Sequence, residues 1–200
     1  MTNALPPDLV LGSTSAYRRA LLERLRIPFT VVAPDVDEAT LAGETPEQTA
    51  VRLALAKAHA VAQGRGDSVV IGSDQVADLH GEAIGKPGNF ERARSQLQRM
   101  SGQTVVFHTA VAVVCSAQQF VAQALVPVRV RFRTLTDAEI SHYLLAEMPY
   151  DCAGSAKSEG LGIALLDRID NNDPSALVGL PLIETARMLR AAGIPILGSV

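Results

Sequence analysis

Residues 103–132 read QTVVFHTAVAVVCSAQQFVAQALVPVRVRF. Gln103–Cys115 and Phe120–Phe132 are two apolar runs rich in β-branched residues, and the short polar break at Ala117–Gln119 predicts that they pair as long antiparallel strands. In the second run Arg129, Arg131 and Arg133 alternate with Val128, Val130 and Phe132, so the arginines share one face of the sheet. That face is either solvated or turned to a ligand. The hairpin supplies an antiparallel centre, and the segments on either side decide what is built around it.

Upstream, Asp8–Gly12 reads as a buried strand, and Ser15 caps a helix over roughly Ala16–Arg26 with Ala20, Leu21, Leu22 and Leu25 inward. Phe29–Ala33 is a second strand. Thr45-Pro46-Glu47-Gln48 is a capping box with proline at the first helical position, opening a helix to about Gln63. Ser68–Ser73 is a buried strand, and Leu79-His80-Gly81-Glu82 reads as a two-residue hairpin turn. A helix follows over Phe90–Met100, with Phe90, Ala93, Leu97 and Met100 on one face. Downstream, Thr136 caps a helix to about Ala146, and Ile163–Ile169 is a strand. Asp173-Pro174 starts a short helix, and Pro181–Ala192 is the last helix, closed by Gly193. Strands that alternate with helices at both ends of a long hairpin predict a mixed, twisted α/β sheet with flanking helices.

Composition narrows the function. The chain has 200 residues, 48% of them hydrophobic and 20% charged, with a net charge of −3. Disorder as the main state is excluded by the apolar fraction, and a pI near 5.8 argues against a broad basic face for nucleic acid. Cys115 and Cys152 form no CxxC, and His59, His80, His108 and His142 form no metal-binding motif. No apolar run reaches the ~18–20 residues of a membrane helix. Met1–Val10 has neither Lys nor Arg and does not read as a signal peptide. A cytoplasmic enzyme or binding protein is expected.

Ser13-Thr14-Ser15-Ala16-Tyr17-Arg18-Arg19 falls at a strand-to-helix junction, where small hydroxyl residues and free helix N–H groups make an anion site. Arg18 and Arg19 in the first helical turn oppose the helix dipole. An anionic ligand resolves that conflict, and solvent exposure also tolerates it. Lys57 lies on a helix face with Ala50, Ala54 and Val61, so its ammonium either snorkels to water or meets a buried anion. Gly72-Ser73-Asp74-Gln75 closes the Val69–Ile71 strand, at the kind of strand end where open α/β sheets gather ligands. The register of the His80-Gly81 turn, extended, brings Lys86 to Gln75 and so beside Asp74, in a structural or a functional ion pair. Asp35-Val36-Asp37-Glu38 is either a solvated acidic loop or a partial site for Mg²⁺, which favours one or two carboxylates plus substrate phosphates. Tyr150–Gly162 is rich in small residues, which let backbone approach a ligand, and its Glu159 suits the donor edge of a guanine or a plain surface role.

Each of these signals is weak alone, but their order is not. Ser13-Thr14-Ser15 with Arg18-Arg19, then Asp35–Glu38, Lys57, Gly72–Gln75, Gly85-Lys86-Pro87, Cys152–Gly162 and Gly179-Leu180-Pro181-Leu182 closely resemble the Maf family of nucleoside triphosphate pyrophosphatases, from Leu9 to about Leu189. The resemblance implies one domain over residues 1–200, with two lobes sharing a sheet around a central cleft as in other house-cleaning pyrophosphatases, and a homodimer. It implies hydrolysis of a nucleoside triphosphate to the monophosphate and pyrophosphate, with water attacking the α-phosphorus. Asp74 is then the proton acceptor, and Ser13, Arg18, Lys57 and Lys86 hold phosphate. Aspartate is a weak base at neutral pH, so Mg²⁺ or Mn²⁺ is expected to acidify the water, with Glu38 and Asp74 as candidate ligands.

Members acting on dTTP and UTP usually carry Pro then Arg ahead of the first-helix arginine, Thr after the catalytic Asp, and Gln in the late loop. Here those positions are Ala16-Tyr17, Gln75 and Glu159. With Cys-Ala-Gly-Ser-x-Lys-x-Glu-Gly-Leu-Gly at residues 152–162, they resemble the subgroup that hydrolyses 7-methyl-GTP. N7-methylation makes guanine cationic, and an aromatic face with a carboxylate suits a charged purine. The expected partner is a small nucleotide, not a nucleic acid or a membrane. The alternatives are a pyrophosphatase for another nucleotide such as dTTP, UTP or CTP, and a non-catalytic nucleotide-binding regulator of cell division.

Overall fold

The hairpin of residues 103–132 is the spine of the computed structural model, which describes residues 7–198; part of the Met1–Val10 stretch lies outside the described residues. Its strands are β5 (Thr104–Cys115) and β6 (Phe120–Phe132), paired antiparallel from Thr104↔Arg131 to Cys115↔Phe120. Before them come β1 (Leu9–Gly12), α1 (Ala16–Glu23), β2 (Thr30–Val32), α2 (Pro46–Ala62), β3 (Val69–Leu79), β4 (Glu82–Ile84) and α3 (Phe90–Met100). After them come α4 (Asp137–Glu147), β7 (Leu166–Asp170) and α5 (Leu182–Ala191).

The seven described strands form one sheet in the order β2-β1-β3-β5-β6-β7, with β4 beside β3. β1 pairs parallel with β2 and β3, and the remaining pairs are antiparallel, so the sheet is mixed as expected. Alternation along β3 and β5 sends apolar side chains to both faces. One face carries Phe107, Val128 and Phe132 against α3 and α4, and, farther along, Ile71, Val111 and Val113 against α1 and α5. The opposite face carries Val70, Ala110 and Ala112 against the alanines of α2. Arg129 and Arg131 are exposed, which settles the arginine stripe as a solvated face, while Arg133 turns to Glu139 at 3.0 Å.

Helix α2 starts where its capping box stands, with reciprocal bonds between Thr45 and Gln48. It lies unusually close to β3. A Cβ at Gly72 would collide with the Ala54 carbonyl oxygen and the Ala58 amide nitrogen, so glycine sets the helix–sheet distance. Between Gly12↔Gly72, where β1 leaves β3, and Ala77↔Ile84, where β4 joins it, the Ser73–Val76 edge has no neighbouring strand. That notch in the sheet positions the site.

Several boundaries differ from expectation. Helix α1 stops at Glu23, and Ala20 faces solvent, because Leu21 and Leu22 fill the only apolar strip the short helix buries. The expected Ile163–Ile169 strand begins at Leu166. Leu161–Leu165 forms a 3-10 turn instead, with the Cβ position of Gly162 packed onto the backbone of Lys157. The short helix after Asp173 is one 3-10 turn, Ala176–Val178. Asp173 spends its carboxylate on Ser175 N (2.9 Å), Ser175 Oγ and Ile183 N (2.7 Å), tying the turn to the start of α5.

Candidate active site

The Ser73–Val76 notch opens into a cleft of about 380 Å³. Its walls come from the β1–α1 junction (Ser13–Arg18), Glu38, Lys57, Gln75, Lys86, the 151–159 loop and the Leu177–Gly179 turn. The volume suits a nucleotide-sized ligand.

At one end sits a buried charge cluster. Lys57 Nζ is 2.7 Å from Asp74 Oδ1 and 2.7 Å from Glu38 Oε1. Lys57 is 4% exposed and does not snorkel: its ammonium is held between the buried carboxylate of Asp74 and the exposed one of Glu38. Asp74, also buried, reaches the cleft through this ammonium. Burial opposes ionisation of Glu38, but the hydrogen bond and charge of Lys57, with Lys86 and Arg18 behind it, hold its carboxyl below the usual range. Arg18 turns inward: its Nε donates to Gly179 O at 2.9 Å, and Nη1 lies 3.4 Å from Ser13 Oγ. Burial pulls its pKa down, while Asp74 and Glu38 push it up. Arg19 leaves the site and pairs with Glu23 in solvent.

The expectation that Lys86 stands beside Asp74 as its ion-pair partner is corrected. The register of β3 and β4 is as expected as far as Ala77↔Ile84, and His80 and Gly81 both take positive φ in the turn. Beyond Ile84 the chain peels away, because the Gly85 carbonyl bonds the side chain of Gln96 and the Gly88 amide bonds Tyr150 O. Lys86 remains exposed on the cleft wall, close enough to Glu38 to stabilise its charge, and Lys57 is the partner of Asp74.

At the other end Tyr17 and Glu159 line the same cleft. Lys157 Nζ lies 5.8 Å from the Tyr17 ring centroid, so this ring already accepts a cation. The Tyr17 hydroxyl donates to Asp151 Oδ1 at 3.4 Å, and Cys152 Sγ lies 3.6 Å from it. Burial, with Cys152 and two carboxylates nearby, raises the Tyr17 pKa; burial pushes the Cys152 thiol up to about 11. Both groups are therefore protonated at neutral pH. Gln75 stands between the two ends. Its Nε2 faces Thr109 Oγ1 (2.8 Å), Leu177 O (3.0 Å) and Ala176 O (3.1 Å), which leaves Oε1 as its free polar atom.

Ser13, Tyr17, Arg18, Lys57, Gln75, Lys86, Glu38 and Glu159 thus share one cleft, with Asp74 one hydrogen bond behind it. The sequence reading missed the carbonyl of Gly179, which aims Arg18 and also lies 3.0 Å from Ser73 Oγ. Gly179-Leu180-Pro181 was the available signal, but a backbone acceptor leaves no mark of its own in a sequence. Among the described residues no three metal-ligating side chains cluster. Glu38 and Asp74 nonetheless converge on a point that already holds one positive charge. A donor set of two carboxylates fits a hard divalent cation that takes its remaining oxygens from phosphate and water.

Residues 8–192 match the family model described as "Maf-like protein". The 7-methyl-GTP pyrophosphatase of Albidiferax ferrireducens is 64% identical over 199 residues, covering 100% of both chains. The protein of the same name from Polaromonas sp. is 67% identical, covering 93% of this chain and 85% of that one. The one from Bordetella pertussis is 58% identical, covering 96% and 95%. Among solved structures, the Ham1 protein of Staphylococcus aureus overlaps 64% of this chain and 72% of its own at a TM-score of 0.46 and 16% identity. The family match spans both the charge cluster and the 151–159 loop, and the chain belongs to the Maf-like protein family.

Proposed function

We propose that this protein hydrolyses 7-methyl-GTP to 7-methyl-GMP and pyrophosphate, as a cytoplasmic homodimer that removes modified nucleotides. The observation that carries the reading is the polarity of the cleft. Arg18, Lys57 and Lys86 all act on the charge of Glu38, whereas Tyr17 has Cys152, Asp151 and Glu159 around it, so the cations gather at one end of the cleft and Tyr17 with Glu159 at the other. Three cations suit a triphosphate, whose charge shifts toward the leaving pyrophosphate as the α–β bond breaks. An aromatic ring that already accepts Lys157, next to a carboxylate, suits a methylated and therefore cationic purine. The names borne by the 58–67% identical relatives agree with this choice over dTTP, UTP or CTP.

In this reading Ser13 and Arg18 orient the phosphates, and Gly179 O holds the guanidinium in line. Lys57 exchanges part of its bond to Asp74 for substrate oxygen, which frees the Asp74 carboxylate to take a proton from the water that attacks the α-phosphorus. Glu38 and Asp74 would hold Mg²⁺ or Mn²⁺, which would supply acidification of the attacking water. Glu159 accepts from the guanine N–H edge.

The test is pyrophosphate release from 7-methyl-GTP, GTP, dTTP, UTP and CTP, each with Mg²⁺ and with Mn²⁺, by wild type and Asp74→Asn. Wild type is expected to prefer 7-methyl-GTP. The variant keeps the shape and loses the charge, so it is expected to bind nucleotide and turn over less than a tenth as fast, a loss above ~1.4 kcal/mol. Retention of more activity than that removes Asp74 from the chemistry.

A further inference from the structure

We infer that Gln96, on α3 and outside the cleft lining, is the positioning residue that ties the phosphate side of the site to its base side. Its Nε2 donates to Gly85 O at 3.0 Å, and its Oε1 accepts from Ser155 Oγ at 2.5 Å. The assignment of the amide ends is forced, because a carbonyl only accepts and so must face the NH₂ group. Gly85 directly precedes Lys86 on the phosphate side. Ser155 lies in the loop that carries Cys152 and Glu159 on the base side. One half-buried amide therefore holds both.

Three further observations show that these contacts set geometry. The β3–β4 ladder stops at Ile84, where its next residue, Gly85, turns its carbonyl to Gln96; this diversion keeps the Ser73–Val76 edge open and carries Lys86 to the cleft wall. Ser155 is fully buried with a φ of +52°, a left-handed conformation that a serine keeps only when its surroundings hold it there. Its hydroxyl bond to Gln96 is the side-chain contact available for that. Gly154 beside it also has positive φ, with its Cβ position 3.2 Å from the Phe107 ring, so the loop has little room to relax elsewhere.

Gln96 touches no substrate. It acts on turnover through Lys86 and on base choice through the Ser155 loop. The inference rests on the division of the cleft given above.

The experiment is a double-mutant cycle. Gln96→Met keeps the shape and removes both hydrogen bonds. Gln96→Glu keeps an acceptor for Ser155 and removes the donor to Gly85. Each variant is assayed alone and with Lys86→Met, on whichever nucleoside triphosphate wild type hydrolyses best, and the folded state is checked by thermal unfolding. Gln96→Met is expected to lower kcat/KM about ten-fold in the wild-type background and by a clearly smaller factor when Lys86 is already Met, the remainder being the loss carried by the Ser155 loop. Gln96→Glu is expected to lose rate in the same way but to keep the wild-type ratio between two bases, which Gln96→Met does not. Equal losses with and without Lys86, or wild-type kinetics in Gln96→Met, overturn the inference. Wild type that prefers a base other than 7-methylguanine overturns the substrate reading alone and leaves this cycle interpretable.

Discussion

Lys57 holds two carboxylates on one ammonium, at 2.7 Å each. Buried charges of this kind stabilise little as a pair but are costly to break singly, because the partner is left uncompensated. Lys57→Met leaves Asp74 buried without its cation. The variant is expected to unfold at lower denaturant, by roughly 3–5 kcal/mol where the buried pair dominates. It is also expected to lose kcat/KM by the same factor for a purine and a pyrimidine triphosphate, since the proposed function assigns Lys57 to the phosphates. Steady-state assays on both nucleotides check this. A loss that depends on the base moves Lys57 out of the phosphate role. The residue scale also shows the limit of sequence reading. Helical spacing set Lys57 among alanines, but whether it met water or an anion depended on how closely α2 lies on β3, and Gly72 controls that from another element.

Element packing supplies that control. Gly72→Ala puts a methyl against the Ala54 carbonyl and the Ala58 amide, both backbone, so α2 must lift. Overpacking of this kind costs about 1–3 kcal/mol, or several degrees of Tm for a chain of this size. Because Lys57 rides on α2, kcat should fall as well. Thermal unfolding with parallel assays tests the pairing, and a variant with lowered Tm and wild-type kcat would separate the helix position from the chemistry. Helix α4 offers a pH test. Thr136 N–H, Arg133 and the Thr136 hydroxyl hold Glu139 at a pKa of about 2, well below the usual carboxylate range. The folded state binds its proton less readily than the unfolded one, so this contribution is present above pH ~4.5 and is lost as the pH falls toward 2. Glu139→Gln should therefore show a shallower stability loss across that window, and equal slopes would mean the cap carries no pH linkage. The caps at Ser15, Thr45 and Thr136 and the hairpin turn were legible in the sequence, since each acts within four residues of itself. The late strand and the short helix after Asp173 were less so. There the chain bends to satisfy Glu147, Lys157 and Ser175, contacts that span the fold or compete locally with a regular helix.

The whole molecule is a mixed sheet with a notch in one edge, and the notch is what the sequence described least well. The order of the motifs pointed to one cleft, and the fold brings Ser13, Tyr17, Arg18, Glu38, Lys57, Gln75, Lys86 and Glu159 to it. It also revised one pairing. Extending a hairpin register assumes that the ladder continues, and here Gln96 ends it at Ile84, so Lys86 serves the cleft wall and Lys57 serves Asp74. No described helix is long and apolar enough to cross a membrane. What remains to be measured is the match between the two ends of the cleft and one substrate. Glu159→Gln replaces an acceptor with a group that also donates, and Tyr17→Arg replaces an aromatic face with a cation. A charge-assisted hydrogen bond contributes roughly 1.5–3 kcal/mol, about ten- to a hundred-fold in kcat/KM. The most direct measurement is the ratio of kcat/KM for 7-methyl-GTP over UTP in wild type and these two variants. The predicted result is a wild-type ratio well above one that falls at least ten-fold in each variant while UTP hydrolysis persists; a ratio near one in wild type, or one unchanged in both variants, would contradict the assignment of methylated guanine to this cleft.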